Sequence, residues 1–515
     1  MFRITATSLA LLFPLLAVPV QAQTSDTDWD RITAGMDAFM EQAEAMAEFP
    51  PGSAVIIVSE DGRRYIRMHG VLNAQTGAPA TPDSGFYIAS MTKAYMGLLA
   101  VRLDAEGVFA LTTTLEDVWP GLQMPEGRDA ASITMHDLLS HQAAIEADEI
   151  GFLEAYVREV DPEEYPALIA RYAVPREAGF RYDNLGYNIY AAALEQLTGT
   201  DWRDWLDDDV FGPLGLDHTS GRTSDFDAAT VTWSHRRTGE HQDDWPRANG
   251  WYLIRPKTDG MMQSAGGLMT SPDDMAQWME IHLTGMAPAG SGITPEMILS
   301  THQVIATQEG DGDGFSCSGY GLGWNVCEYL YPGNEAAEFG PILQHGGGYT
   351  GVRTGMTLAP DLGIGVAVFT NSDSMTGFLS LEITKQALEL AADIPDRERW
   401  QARRLEVYAS QNQRYLDYLQ GQITQGRAEE RWGGWTWTPE ASDLDTYAGS
   451  YANSDFVLGS VDIAAGETGL VLTSHDLTYR LEPASPDLFG GRSDAYAGLD
   501  PFTFIRAEVL DAELE

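Results

Sequence analysis

A chain of 515 residues exceeds what one ordinary core accommodates, so two to four domains, or one large domain with an appendage, are expected. Its 44% hydrophobic and 21% charged residues match a globular protein and exclude both disorder and a membrane bundle. With 76 acidic against 31 basic side chains, the net charge of −45 repels phosphate backbones and anionic lipid heads; it excludes nucleic acid as a partner and reads as a well-hydrated surface.

Taken in chain order, Met1, Phe2 and Arg3 precede an apolar stretch from Ala6 to Val20 that ends in Val20-Gln21-Ala22, the pattern of a cleavable secretory signal over residues 1–22. The run falls short of the roughly 20 residues a span needs and contains Pro14 and Pro19, so no stable membrane span is expected. The protein is therefore expected to be secreted or periplasmic. In an oxidising compartment Cys317 and Cys327 can form a disulfide, provided the chain turns between them. An amphipathic helix is predicted from Trp29 to Glu48, with Ile32, Met36, Phe39, Met40 and Ala43 on one face. Ala54 to Ser59 and Arg64 to Met68 predict a hairpin about the turn Glu60-Asp61-Gly62-Arg63. Ser90 opens a helix with Met96, Leu99, Ala100 and Leu103 buried and Gly107 placed to end it.

Residues 108–300 read mostly as helix and loop. Strands return at Gly321 to Val326, Gly351 to Leu358 and Ile364 to Phe369, followed by a helix from Ser374 to Ala392. Elements from both ends thus share one antiparallel sheet with a helical lobe inserted between them, an α+β fold over residues 28–392. Residues 393–440 read as a helical linker ending in Trp432, Trp435 and Trp437, and 441–515 as a small all-β barrel or sandwich.

The chemistry is carried by Ser90-Met91-Thr92-Lys93. Side chains at i and i+3 of a helix share a face, so the Lys93 amine can reach the Ser90 hydroxyl, and a desolvated lysine can act as base for a weak serine nucleophile. Only Lys93, Lys257 and Lys385 are lysines. A chance S-x-x-K match is still on the order of 20%. Specificity comes from order: Tyr182-Asp183-Asn184 follows, then His345-Gly346-Gly347.

With these three motifs the chain resembles the serine β-lactamase-related and penicillin-binding-protein-like hydrolases, in particular their class C, carboxypeptidase, D-aminopeptidase and esterase branches. Ile133 to His141, Phe211-Gly212-Pro213-Leu214-Gly215-Leu216, Ser264-Ala265-Gly266-Gly267-Leu268 and Tyr320-Gly321-Leu322-Gly323-Trp324 match family landmarks. The resemblance implies that Ser90 attacks a carbonyl, Lys93 takes its proton and Tyr182 shuttles protons to the leaving group. It implies that Asn184 and His345 bind Lys93 and substrate, and that Gly347 and Gly348 shape the oxyanion side, with the N–H groups of Ser90 and Gly348 as donors. For Tyr182 to ionise near neutrality, positive charge on Lys93 or His345 must favour its anion. His345 is expected on a sheet-edge strand. No metal or other cofactor is implied; the substrate is a small amide, peptide or ester, and an oligomer is allowed.

Gly346 lacks the hydroxyl that carboxylate-binding relatives carry, which shifts the expectation away from β-lactams, with Arg353 as a substitute anchor. Two other readings remain, a penicillin-binding sensor acylated without turnover and a true β-lactamase. Tyr447-Ala448-Gly449-Ser450-Tyr451 resembles the start of the lipocalin-like domains that follow some of these hydrolases.

Overall fold

A computed structural model describes residues 26–503, apart from segments at 47–48, 237–246, 249, 313, 331–338, 373–375, 395–396, 453–458 and 494–499. The secretory segment and the residues after Thr503 lie outside the described residues. Among the described residues no helix is long and apolar enough to cross a membrane.

The apolar run Ala54-Val55-Ile56-Ile57-Val58 has no polar alternation, and such a run is stable only where both faces are covered. It forms β1 (Gly52–Ser59), every residue of which is buried. β1 pairs with β2 (Arg64–Asn73), as the turn signal predicts, with Ile56 opposite Ile66. The remaining strands are β3 (Ala306–Gly312), β4 (Phe315–Tyr320), β5 (Asn325–Tyr329), β6 (Phe339–Tyr349), β7 (Val352–Ala359) and β8 (Ile364–Thr370). They join in the order β3-β4-β5-β6-β7-β8-β1-β2, with a two-residue strand at Ala78–Pro79 completing nine. The central pair β1–β8 is antiparallel and joins the two ends of the domain, Ser53 facing Thr370.

The expected helix at the start is α1 (Asp26–Glu44). On one sheet face Val55, Ile57, Val366 and Val368 pack with Met36 and Phe39 of α1 and with Leu379, Ile383 and Leu388 of a later helix, Thr376–Ala391. On the other face Ala54, Ile56, Val58 and Phe369 meet the helical lobe. That lobe contributes α2 (Thr92–Ala105), α3 (Asp148–Tyr156), α4 (Tyr165–Tyr172), α5 (Leu185–Thr198) and α6 (Pro272–Thr284). The helix Thr376–Ala391 is α7. α2 ends as predicted at Gly107, whose φ of 70° suits glycine.

The stretch Gly321 to Val326 is not one strand. Gly323 has φ +84° and lies so close to α2 that a Cβ there would come within 2.3 Å of the Ala94 Cα. Gly321 to Trp324 form the turn between β4 and β5, docked on the nucleophile's helix, and the turn brings Cys317 opposite Cys327 in a disulfide. Apolar content alone did not separate that turn from a strand.

The predicted linker is one helix, α8 (Arg397–Arg427), and it is not free: Tyr408 is buried, and Arg404 pairs with Glu382 and with the buried Glu389 of α7. Trp432 and Trp435 stack at 4.9 Å beyond it, whereas Trp437 packs on Tyr447 and Phe489 of the next unit. The tail forms a six-stranded antiparallel meander, β9 (Gly449–Ala452), β10 (Ser460–Ala465), β11 (Leu470–Ser474), β12 (Leu477–Ser485), β13 (Leu488–Ser493) and β14 (Asp500–Thr503). Alternation along β10 and β11 buries Val461, Ile463, Leu470 and Leu472, and this apolar face is continuous with the core of the helical lobe.

Candidate active site

Ser90 stands in a single 3₁₀ turn, Ala89–Met91, that leads into α2. Ala89 has φ 48°, a left-handed conformation that costs an alanine energy and persists only where the surroundings enforce it. The enforcing contacts are visible. The Thr92 hydroxyl donates to the Ala89 carbonyl (2.7 Å) and accepts from the Leu268 N–H (3.1 Å), while the Thr354 hydroxyl donates to the Ile88 carbonyl (3.0 Å). The nucleophile is thus aimed by the local Thr92 hydroxyl and by hydrogen bonds from two distant segments.

One helical turn on, Lys93 is fully buried. Its Nζ lies 3.4 Å from Ser90 Oγ and donates to Asn184 Oδ1 (2.9 Å) and to the Ala265 carbonyl (2.7 Å). Burial pushes its pKa down to about 7, opposed in part by the charge of Asp183. Near neutrality a large fraction of Lys93 is therefore a free amine within reach of the hydroxyl it must deprotonate.

Asn184 is the N-cap residue of α5, and Asp183 helps start that helix by accepting from the Gly186 N–H (3.1 Å). Tyr182 as a residue is 41% exposed, but its hydroxyl end is buried toward Ser90. Desolvation raises the Tyr182 pKa, and the Asp183 charge adds to the rise. The condition for an ionised tyrosine, positive charge beside it, is therefore not met, and Tyr182 rests as a neutral phenol, a proton donor. The reason lies partly in His345, which cannot supply charge. It is 3% exposed, and burial, then Lys93, lower its pKa to about 3. Its Nδ1 pairs with the Gly346 carbonyl at 2.8 Å, and its Nε2 lies 3.3 Å from the Tyr320 hydroxyl.

His345 is not on an edge strand, because β6 runs between β5 and β7. The β5 pairing nevertheless ends at Gln344, so residues 345–349 pair with β7 alone and their other side faces Ser90. Gly347 makes that approach possible: a Cβ there would come within 2.2 Å of both the Ile88 carbonyl and the Thr354 hydroxyl. At Gly346 a Cβ would meet nothing closer than 3.8 Å, so the missing hydroxyl is not excluded by space. Arg353 does not replace it. Its Nη1 donates to the carbonyls of Tyr349 (3.0 Å) and Val352 (2.8 Å) at the β6–β7 turn.

Beside Tyr182 and Gly348 opens a cavity of about 460 Å³ walled by Phe152, Ala155 and Tyr156 of α3 and by Met262 and Tyr349. Tyr156 stacks on Tyr349 at 5.6 Å, and Glu146 at the mouth pairs with Arg181. Among the described residues no group of three His, Cys, Asp or Glu side chains is placed to hold a metal ion. His141, at the end of the Ile133–His141 landmark, is buried with Asp183 N–H donating to its Nδ1 (3.3 Å), and its ring packs on Tyr182 at 4.6 Å. The Ala265 carbonyl was missed as a ligand of Lys93, although the Ser264-Ala265-Gly266-Gly267-Leu268 landmark marked its segment.

An antiparallel sheet, a helical lobe and a serine–lysine–tyrosine centre at their junction define a serine hydrolase, and the family profile for beta-lactamase matches residues 37–390: the chain belongs to the β-lactamase family. Penicillin-binding protein 4 of Amycolatopsis lactamdurans is 28% identical over 342 residues, 64% of this chain and 83% of that protein. An unguisins hydrolase of Aspergillus campestris is 24% identical over 338 residues, and the match spans only 58% of its length. Among solved structures, the octameric penicillin-binding protein homologue from Pyrococcus abyssi matches with TM-score 0.56 and 19% identity over 91% of this chain and 95% of that one. The D-amino acid amidase from Ochrobactrum anthropi matches with TM-score 0.54 and 17% identity over 72% of this chain and 100% of its own. At these identities the structural likeness concerns the fold.

Proposed function

We propose that the protein hydrolyses amide or ester bonds of small substrates through an acyl-enzyme on Ser90, with Lys93 as base. The observation that carries this reading is the placement of Lys93 Nζ, held by Asn184 Oδ1 and the Ala265 carbonyl with Ser90 Oγ at 3.4 Å. Ser90 Oγ bonds to the carbonyl carbon while its proton passes to Lys93, and the oxyanion is received by the N–H groups of Ser90 and Gly348. The neutral Tyr182 hydroxyl gives its proton to the leaving nitrogen or oxygen and recovers one from Lys93. Water then attacks the ester, Lys93 takes its proton, and Ser90 departs reprotonated.

The cavity combines Phe152, Tyr156 and Tyr349 with the polar Glu146, Asp148 and Arg181, a wall that suits an aromatic group carrying a polar substituent. Gly346 brings no hydroxyl and Arg353 is committed to main-chain carbonyls, so neither anchors a substrate carboxylate, which favours neutral or amine-bearing amides and esters over β-lactams. The amidase among the structural relatives and the hydrolase among the sequence relatives support that leaning. We read the secretory pattern at residues 1–22 as export, and the C-terminal meander as a lipocalin-like support for the cleft. Its β11–β12 tip reaches the helical lobe, where the Asp476 N–H donates to the Val157 carbonyl (3.1 Å) just past α3.

The test is turnover on a chromogenic short-chain ester, D-amino-acid anilides and a chromogenic cephalosporin, with Ser90→Ala as control. Multiple turnovers on ester or anilide, lost in the variant, are expected. A single stoichiometric burst would establish the non-turnover sensor instead, and efficient cephalosporin hydrolysis the β-lactamase. Absence of fluorophosphonate label on Ser90 would remove the nucleophile.

A further inference from the structure

α3 carries an acidic residue where its apolar stripe, Ile150, Leu153 and Val157, calls for another hydrophobe. Glu154 is wholly buried, and among the described residues no arginine or lysine pairs with it in a salt bridge. A lone carboxyl in such a place is costly unless hydrogen bonds hold it. Two do: the Tyr165 hydroxyl of α4 donates to Oε1, and Asn188 Nδ2 of α5 donates to Oε2 at 2.8 Å.

The second of these bonds leads to the reaction centre. With its amide nitrogen turned to Glu154, Asn188 presents Oδ1 in the other direction. There it accepts the Ala265 N–H at 2.9 Å and lies 3.3 Å from the Ser264 hydroxyl. The carbonyl of the same Ala265 accepts Lys93 Nζ at 2.7 Å. Every member of this path is buried: Glu154, Ser264, Ala265 and Lys93 are at 0% exposure and Asn188 at 3%. Asn188 is one helical turn beyond Asn184, so a single face of α5 governs both acceptors of Lys93, one by touching it and one through Ala265. The Glu154 main chain adds a further tie, its carbonyl accepting the Met262 N–H (2.8 Å) in the left-handed turn that precedes Ala265.

We propose that Glu154 is a positioning residue of the acylation centre, fixing the Asn188 amide and through it the Ala265 carbonyl that holds Lys93. The inference rests on Lys93 being the base, as proposed above. An anionic acceptor at the far end polarises the Asn188 amide and strengthens the next bond in the chain, as linked hydrogen bonds do in a low-dielectric interior. The groups facing Glu154 are Tyr165 from α4, the neutral Asn188 from α5, and Arg158 and Glu159 from the segment after α3. Arg158 is engaged with Glu164 and Glu159 with Arg203. Burial raises the Glu154 pKa to about 7 against the pull of its two hydrogen bonds, so part of the population is anionic at neutral pH.

The experiment compares Glu154→Ala, Glu154→Gln, Asn188→Ala and the Glu154→Ala/Asn188→Ala double variant of the full-length protein, using ester hydrolysis normalised to the extent of fluorophosphonate labelling at Ser90. Glu154→Ala lowers kcat about 10- to 100-fold with little change in KM, the scale expected when a reacting group is misplaced by about 1 Å. Glu154→Gln keeps an acceptor for Asn188 but no charge, and loses less. In both variants the Lys93 ammonium is less well stabilised, so the acid limb of kcat/KM moves to lower pH. The double variant falls no further than Asn188→Ala alone, because the two residues act in series. A purely structural role would change the labelled fraction and leave kcat per labelled site and the limb unmoved; that result overturns the proposal, as does additivity in the double variant. If Glu154→Ala does not fold, the limb of Glu154→Gln decides. Wild-type acylation in Lys93→Ala overturns the base assignment and the relay together, whereas an inactive Lys93→Ala with unaffected Glu154 variants overturns the relay alone.

Discussion

Two of the three lysines, Lys93 and Lys257, are buried, and burial brings both to a pKa of about 7. By that measure they are equals, yet their surroundings differ. Lys93 has two fixed acceptors, from Asn184 and Ala265, that leave its amine facing a serine hydroxyl. The described hydrogen bond of Lys257 goes to the carbonyl of its own neighbour, Thr258 (3.2 Å), and its Nζ sits 5.9 Å from the Tyr87 ring centre. A perturbed pKa marks a candidate base, but orientation toward a proton donor makes one.

The largest test of this contrast is activity. Lys93→Ala should lower kcat/KM for an ester by about 10²- to 10⁴-fold, the usual contribution of a general base, and Lys257→Met should leave it unchanged. Equal losses in steady-state assays would erase the distinction. Next comes pH. Because the free amine of Lys93 is the active form, kcat/KM should fall about tenfold per unit as pH drops below about 7, and Lys257→Met should keep that limb. His345, neutral down to about pH 3, adds no second limb between pH 4 and 7, and a limb there that vanishes in His345→Ala would contradict its assignment as neutral. The smallest effect is on stability. The folded pKa of Lys257 lies below its unfolded value of about 10.4, so between about 7 and 10.4 the unfolded chain binds more protons and stability rises with pH; below 7 the full cost of burying the ammonium is present. Lys257→Met should therefore raise Tm more at pH 6 than at pH 10, and a larger gain at pH 10 would reverse the sign.

The two sites also differ in how far the sequence disclosed them. Ser90, Lys93, Tyr182, Asn184 and His345 were legible because side-chain chemistry at short spacing leaves a pattern, and the β1–β2 hairpin because turn residues separate two apolar runs. The Ala265 carbonyl left no such trace: any residue supplies a carbonyl, and its contact with Lys93 spans 172 positions. Glu154 did leave one, a charge at a buried position of a helical stripe, but its partner Asn188 lies 34 residues away. Gly321 to Trp324 looked like strand because nothing local shows that Gly323 must press on α2.

The pairing of β1 with β8 has a consequence for biogenesis. Ser53 must wait for Thr370, and at about 5–20 residues per second that partner arrives on the order of 15–60 s later. Meanwhile Ala54-Val55-Ile56-Ile57-Val58, a run without charge or proline, has only β2 beside it, the kind of segment that seeds aggregation. Pro50 and Pro51 on one flank and Glu60 and Asp61 on the other bracket this run with residues that resist intermolecular strand stacking. Substituting these flanks would leave the mature site intact and reduce the yield of protein that reaches it.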